Sequence, residues 1–136
     1  QKTNPPPNLA CRCFTHSTET ILWAKKNDKK SRHFFDYQKM KEMNGGKQMK
    51  DVWTGALTKP SEKTEGKHPT QKPEYLLEKI VLASTEKGQV ILDPFCGSGT
   101  TGVEAVRFGR KFVGIDVSEE YLEISKKRLE KVANDT

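Results

Sequence analysis

The sequence predicts an α/β protein, built as part of a doubly wound parallel sheet in a three-layer α/β/α arrangement. From residue 73 onward, helical and strand patterns alternate in the order α-β-α-β-α, which is typical of doubly wound sheets. Two short apolar runs, 89–93 and 111–116, each end in an aspartate. Ligands bind at the carboxyl ends of the strands in open α/β sheets, so both aspartates are candidates for a ligand site.

The three helices of this part follow from their end signals and their apolar faces. The first is predicted to begin at Pro73, because proline suits a first helical turn, and to end at Gly88. The second spans 100–108 with Gly109 as its C-terminal cap, and Ser118 caps the third. The expected inward faces are Leu76, Leu77, Ile80, Val81 and Ser84, then Val103 and Val106, then Tyr121, Leu122, Ser125, Leu129 and Val132.

The first half of the chain is less regular. Residues 1–25 are expected to form a connector, stiffened by Pro5–Pro7, followed by a sheet strand at 18–25. Residues 26–66 are polar and basic and are predicted to form a long loop region with one short helix. Residues 67–136 are then expected to form the ligand-binding subdomain.

Composition suggests a domain that needs a partner. Of the 136 residues only 33% are hydrophobic, and the mean hydropathy is −0.79, so the core is thin for this length. The net charge of +6 is uneven, since residues 1–72 carry +8 and residues 73–136 carry −2. A basic half favours a polyanionic partner, although a well-solvated surface explains the charge alone equally well.

The three cysteines, Cys11, Cys13 and Cys96, are expected to be reduced thiols of a cytoplasmic protein, because no secretory signal precedes them. The Cys-x-Cys pair lacks a second pair of ligands nearby, so no metal site is expected. No apolar run approaches the roughly 20 residues that span a membrane, and no membrane association is expected.

The strand, turn and helix of residues 88–101 predict a site for a nucleoside-type cofactor. Gly97 and Gly99 allow the backbone to approach a ligand closely, and Asp116 is placed to accept hydrogen bonds from ribose hydroxyls. With Gly102 the pattern also fits a dinucleotide fingerprint. However, Asp93 would repel a pyrophosphate and suits a cationic amino-acid group, which favours an aminoacyl nucleoside.

These residues resemble a known family. Residues 93–101 (Asp-Pro-Phe-Cys-Gly-Ser-Gly-Thr-Thr) are similar to the S-adenosylmethionine-binding motif I of amino-group DNA methyltransferases. His-Pro-Thr-Gln-Lys-Pro at 68–73 resembles their motif X, and 114–116 resembles motif II. Motif X directly before motif I marks the permuted β-class, as in the modification methylases of type II restriction-modification systems. The resemblance covers 4–25 and 51–132.

The resemblance implies a Rossmann-like sheet that binds S-adenosylmethionine and methyl transfer to the exocyclic amino group of adenine, with cytosine less favoured. Asp93, Phe95, Gly97 and Gly99 would surround the methionine moiety, while Asp116 would bind the ribose. The cofactor-binding residues implied in this way are Thr70, Lys72, Pro73, Asp93, Phe95, Gly97, Gly99, Thr100, Asp116 and Val117. His68 is interpreted as a packing residue of the loop and not as a catalyst.

The basic segment occupies the position of the family's target-recognition region, and its aromatic residues are interleaved with positive charges. Lysines and arginines there would neutralise phosphates of double-stranded DNA. The predicted DNA-binding residues are Arg12, Lys25, Lys26, Lys29, Lys30, Arg32, Lys47 and Lys50. A solvated charged loop remains the alternative for each of them.

The family's catalytic motif, an Asp, Asn or Ser followed by two prolines and an aromatic residue, is missing. Asn4-Pro5-Pro6-Pro7 imitates it but has proline in the aromatic position. We therefore expect the catalytic half to lie N-terminal to this chain and to be its partner, and a homodimer is also compatible. Other hypotheses remain open: a non-catalytic DNA-binding or regulatory remnant, a methyltransferase for RNA or a small molecule, and a dinucleotide oxidoreductase.

Overall fold

The computed structural model describes residues 1–27 and 32–135. Strands β1 (Val90–Asp93) and β2 (Lys111–Gly114) run parallel, with Ile91 opposite Phe112. Helix α3 (Thr100–Arg107) makes the crossover between them. The predicted strand-helix-strand unit is confirmed to within two residues at each boundary.

Helix α3 is the centre of the packing, because it contacts both strands and also α2 (Glu74–Ser84) and α4 (Glu119–Asn134). Val103 and Ala105 of α3 are buried in these contacts. At Gly102 a Cβ would lie 2.5 Å from the Phe112 ring. The missing side chain at this position therefore lets α3 lie close against β2.

The basic region contains a short helix, as predicted, α1 (Tyr37–Met43). The Asp36 side chain caps it by accepting a hydrogen bond from the Lys39 N–H at 2.8 Å. Met40 is buried against Leu82 and Ala83 of α2, so this helix is anchored to the second half of the chain. A short 3-10 helix follows at Pro60–Lys63.

Helix α2 ends earlier than predicted. Thr85 leaves the helical conformation (φ −142°, ψ 151°), and both its N–H and its hydroxyl donate to the carbonyl of Val81. The helix therefore ends at Ser84, and Gly88 lies in the turn before β1, where its N–H donates to the carbonyl of Gly109. The hydrogen bonds of Thr85 thus end the helix before Gly88, the residue on which the prediction rested.

The structure has no strand at residues 18–25, contrary to the prediction. Ile21, Leu22 and Trp23 are exposed there. A strand needs a hydrogen-bonded neighbour, and in the described part of the chain β1 and β2 pair only with each other. The β-forming residue types are present, but among the described residues no strand lies beside them.

The sheet is covered by helices on one face only. The other face presents Val90, Leu92, Val113 and Ile115, which are between 48% and 62% exposed. Parallel sheets are normally covered on both faces. Within residues 1–27 and 32–135, nothing fills the position of the third layer of an α/β/α arrangement.

Candidate functional site

The turn after β1 is fixed by Asp93, whose two carboxylate oxygens accept different donors. Oδ1 accepts the Phe95 N–H at 3.1 Å, and Oδ2 accepts the Thr101 hydroxyl at 2.6 Å. The carboxylate therefore ties the end of the strand to the first turn of α3. Phe95 itself is 87% exposed, so its ring is accessible to a ligand.

Asp116, two residues beyond β2, reaches the same turn. Its Oδ2 accepts the Gly97 N–H at 2.8 Å, and its Oδ1 accepts the Ser118 N–H at 3.0 Å. These backbone hydrogen bonds, that of Ser118 first, hold the pKa of the Asp116 carboxyl below its usual value. The group is thus a fixed anion at the carboxyl edge of the sheet, and each oxygen retains a lone pair for a further donor.

The two glycines of the turn are required by packing as well as by backbone conformation. Gly97 and Gly99 have φ values of +50° and +74°. A Cβ on Gly97 would lie 2.9 Å from Nε2 of His68, and one on Gly99 would lie 2.8 Å from the Cβ of Ser125 in α4. The turn is therefore held between the segment before α2 and helix α4.

A cavity of about 180 Å³ lies at this turn and joins both predicted motifs in one site. One wall comes from segment 68–72 and the other from residues 93–101. The predicted cofactor residues that line it are Thr70, Lys72, Asp93, Phe95, Gly97 and Thr100. The sequence-based prediction of the site did not include the other lining residues, His68, Gln71, Leu77, Cys96, Ser98 and Thr101.

Four predicted cofactor residues do not line the cavity. Pro73 is buried at the start of α2, and Gly99 lies behind the turn against Ser125. Asp116 contacts the cavity wall only indirectly, because its carboxylate accepts the hydrogen bond from the Gly97 N–H. Val117, the next residue in the sequence, is fully exposed.

His68 packs as predicted. Its ring lies 4.2 Å from the Tyr121 ring of α4, measured between centroids, and its Nδ1 accepts the Thr70 N–H at 3.2 Å. These contacts fix the wall that faces Gly97. Local sequence patterns could not predict that His68 packs against Gly97 and Tyr121, because both residues are far from His68 in the sequence.

The ammonium of Lys72 is already paired. It lies 2.8 Å from Oε2 of Glu19, whose other oxygen lies 2.6 Å from Nζ of Lys2. These two lysines lower the pKa of Glu19 to about 2. The cluster ties the N-terminal segment to the cavity wall.

All of the predicted DNA-binding residues that the structure describes are exposed, namely Arg12, Lys25, Lys26, Arg32, Lys47 and Lys50. Lys29 and Lys30 lie outside the described residues. Beside Lys25, Trp23 contacts His33 and Phe35, with ring centroids 5.3 and 5.4 Å apart. Positive charge and aromatic surface thus occur together at Lys25 and Trp23.

Among residues 1–27 and 32–135 no group of three or more His, Cys, Asp or Glu side chains is arranged to hold a metal ion. The described helices are all too short or too polar to cross a membrane. Cys11, Cys13 and Cys96 are free thiols.

Comparison with known proteins identifies the family. A family model described as DNA methylase matches residues 1–127. The chain is 74% identical over 133 residues to the type II methyltransferase M2.LlaDCHI of Lactococcus lactis subsp. cremoris, in a match that covers 98% of this chain and 49% of that protein. It is 73% identical over 130 residues to the type II methyltransferase M2.DpnII of Streptococcus pneumoniae, with coverage of 96% and 48%. The chain spans about half the length of the curated relatives it matches.

A solved structure supports the same assignment. The crystal structure of an M1.HpyAVI–SAM complex superimposes with a TM-score of 0.71 at 39% identity, covering 94% of this chain and 58% of that one. The predicted α/β class and the resemblance to amino-group DNA methyltransferases are thus confirmed. The chain belongs to the DNA methylase family.

Proposed function

We propose that residues 1–136 supply the S-adenosylmethionine site and the DNA-recognition region of a type II amino-group DNA methyltransferase. The observation that carries this proposal is the cavity that segment 68–72 and residues 93–101 line together. In the sequence these segments are separated by α2, and the fold brings them to the carboxyl edge of the sheet. Relatives named as type II methyltransferases and the M1.HpyAVI–SAM complex support the same conclusion.

The residues present fit this cofactor. Asp93 offers a carboxylate for the cationic amino-acid end, and exposed Phe95 offers an apolar surface. Asp116 is an anion at the end of the next strand, suited to the two hydroxyls of a ribose. When bound, S-adenosylmethionine supplies an activated methyl group on a sulfonium. The role of this chain is then to orient that group and exclude water around it.

The target is proposed to be the exocyclic amino group of adenine in double-stranded DNA, with cytosine as the alternative. The exposed lysines and arginines of residues 12–50 would contact phosphates. Such an enzyme acts on DNA in the cytoplasm. Residues 1–25, 26–66 and 67–136 would serve respectively as connector, target-recognition region and cofactor subdomain.

The catalytic motif is proposed to lie outside residues 1–136. Asn4 is the first residue of the Asn-Pro-Pro-Pro segment, which resembles the catalytic motif. Its Oδ1 accepts a hydrogen bond from the Leu57 N–H at 2.8 Å, which is a structural role. The bare sheet face formed by Val90, Leu92 and Val113 has the apolar character that a further layer of the same protein would cover. We propose the catalytic half as the occupant of that face.

Calorimetry on the complete protein tests the cofactor site. We expect S-adenosylmethionine to bind, and we expect Asp93→Ala and Asp116→Ala each to weaken binding by about 10-fold or more, because each removes a charged hydrogen-bond acceptor. Asp51→Ala is the control, because Asp51 is exposed in a loop and does not line the cavity. Failure of the complete protein to bind S-adenosylmethionine, or binding of a nicotinamide dinucleotide in its place, would overturn the proposal.

Methyl transfer tests the substrate. Incubating the complete protein with labelled S-adenosylmethionine and duplex DNA should yield N6-methyladenine, or N4-methylcytosine under the alternative. Lys47→Ala combined with Lys50→Ala should reduce the slope of log K against log salt by about 0.9 for each phosphate that is no longer neutralised. The matched control is the double variant of Lys126 and Lys127, which are exposed on α4. Labelling of RNA but not DNA, or equal slopes for both double variants, would contradict the assignment.

A further inference from the structure

Arg128 is a buried arginine whose neighbours in the sequence give no sign of its burial. It lies on α4 among Lys126, Lys127 and Lys131, which are all exposed, yet only 6% of its own surface is accessible. A guanidinium keeps its charge at any ordinary pH, so burying it is costly unless its donors are well paired. The structure must therefore offer acceptors at this position.

The acceptors come from two other segments. Nη1 donates to the Ser98 carbonyl at 2.7 Å and to the Thr100 hydroxyl at 3.0 Å, while Nη2 donates to Oε1 of Glu74 at 3.0 Å. The second oxygen of Glu74 accepts from Nη2 of Arg107 at 3.0 Å. One guanidinium thus joins the turn after β1, the start of α3 and the start of α2.

These acceptors belong to one wall of the cavity and adjoin the other. Ser98 belongs to the wall formed by the turn, and Glu74 directly follows Pro73, where segment 68–72 enters α2. Arg128 itself does not line the cavity. We propose that Arg128 is a positioning residue for the cofactor site: by holding Ser98 and Glu74 together from behind, it sets the separation of the two walls. This inference rests on the proposed function.

The planar fork of arginine is what this arrangement requires. Lysine keeps the charge, but a single ammonium cannot hold the Ser98 carbonyl and the Glu74 carboxylate in the same fixed geometry. Arg107 provides a matched comparison, because its ion pairs are with Glu74 and Glu104 of the same cluster and not with the turn. Both Arg128→Lys and Arg107→Lys therefore remove an arginine partner of Glu74. Only Arg128→Lys also disturbs the hydrogen bonds to the turn.

The experiment compares these two variants in the complete protein. We measure KM for S-adenosylmethionine, KM for DNA, kcat and the melting temperature. We expect Arg128→Lys to raise KM for S-adenosylmethionine by about 10-fold, the equivalent of one charged hydrogen bond, with kcat and KM for DNA within about 2-fold of wild type. Arg107→Lys should leave KM for S-adenosylmethionine near the wild-type value, even where the melting temperature falls by a similar amount.

A purely structural role would lower the melting temperature of both variants and leave KM for S-adenosylmethionine unchanged in both, and that result overturns the proposal. An equal rise of KM in both variants overturns it as well. Should Arg128→Lys not fold, Glu74→Gln takes its place in the same comparison, because it weakens the link between the walls without removing the guanidinium. Failure of the wild-type protein to bind S-adenosylmethionine would instead contradict the proposed function.

Discussion

Glu104 in α3 makes stability depend on pH. The residue is 1% exposed, its Oε1 accepts from Nη1 of Arg107, and its Oε2 has no hydrogen-bond partner among the described residues. Burial raises the pKa of this carboxyl to about 7, and repulsion from Glu74 and Glu78 adds to the shift, although Arg107 opposes it. The ordinary value of 4.5 applies when the chain is unfolded.

The direction of the pH dependence follows from the linkage between proton binding and folding. Because the folded state holds the proton more tightly, the contribution of Glu104 to the free energy of unfolding is complete below about pH 4.5 and is lost as pH rises through about 7. With these two pKa values the loss between about pH 5 and about pH 8 is on the order of 2 to 3 kcal/mol. Glu104→Gln cannot ionise and should not show this loss.

Urea unfolding of the complete protein at both pH values measures the difference. We expect the free energy of unfolding of the wild type to fall by on the order of 2 to 3 kcal/mol more than that of Glu104→Gln over this range. Glu130→Gln, an exposed glutamate on α4, should run parallel to the wild type. Parallel curves for wild type and Glu104→Gln would refute the reasoning, as would a carboxyl signal of Glu104 that titrates below about pH 5 in a carbon-13 NMR experiment.

Two further substitutions test local features of the turn after β1 and of α4. Gly99→Ala should destabilise the protein by more than about 2 kcal/mol, because a positive φ is strained for alanine and the new methyl meets Ser125. Gly88→Ala shares the positive φ but meets no atom within 4 Å, so a denaturation midpoint equal to that of Gly99→Ala would contradict the steric argument. Ser118→Ala should cost about 1 kcal/mol, because the hydroxyl accepts the Tyr121 N–H at the start of α4. An unchanged unfolding free energy in urea would show that this cap contributes nothing.

The regular elements could be predicted because their signals are local. Ser118 caps α4 three residues before the N–H it binds, and Pro73 precedes the first turn of α2. The strands ending at Asp93 and near Asp116 are short apolar runs bounded by glycine turns. Each signal lies within a few residues of the element it specifies, so no tertiary information is needed.

The rest depends on contacts between distant segments. Ile124 and Arg128 are buried on α4 although the predicted face of that helix did not include them. Lys72 was predicted as a pocket residue, and its pairing with Glu19, 53 residues away, has no sequence signature. Segment 18–25 shows the converse, since its residue types favour a strand and the neighbour that would complete it is lacking among the described residues.

The bare face of the sheet has a practical consequence for work with this segment. Val90, Leu92 and Val113 form an apolar surface beside strand edges that have no partner in the described chain. Such surfaces recruit other strands, so residues 1–136 expressed in isolation should self-associate. Co-expression with the proposed catalytic half should suppress that association, and recovery of soluble material would then serve as a simple assay for the proposed docking.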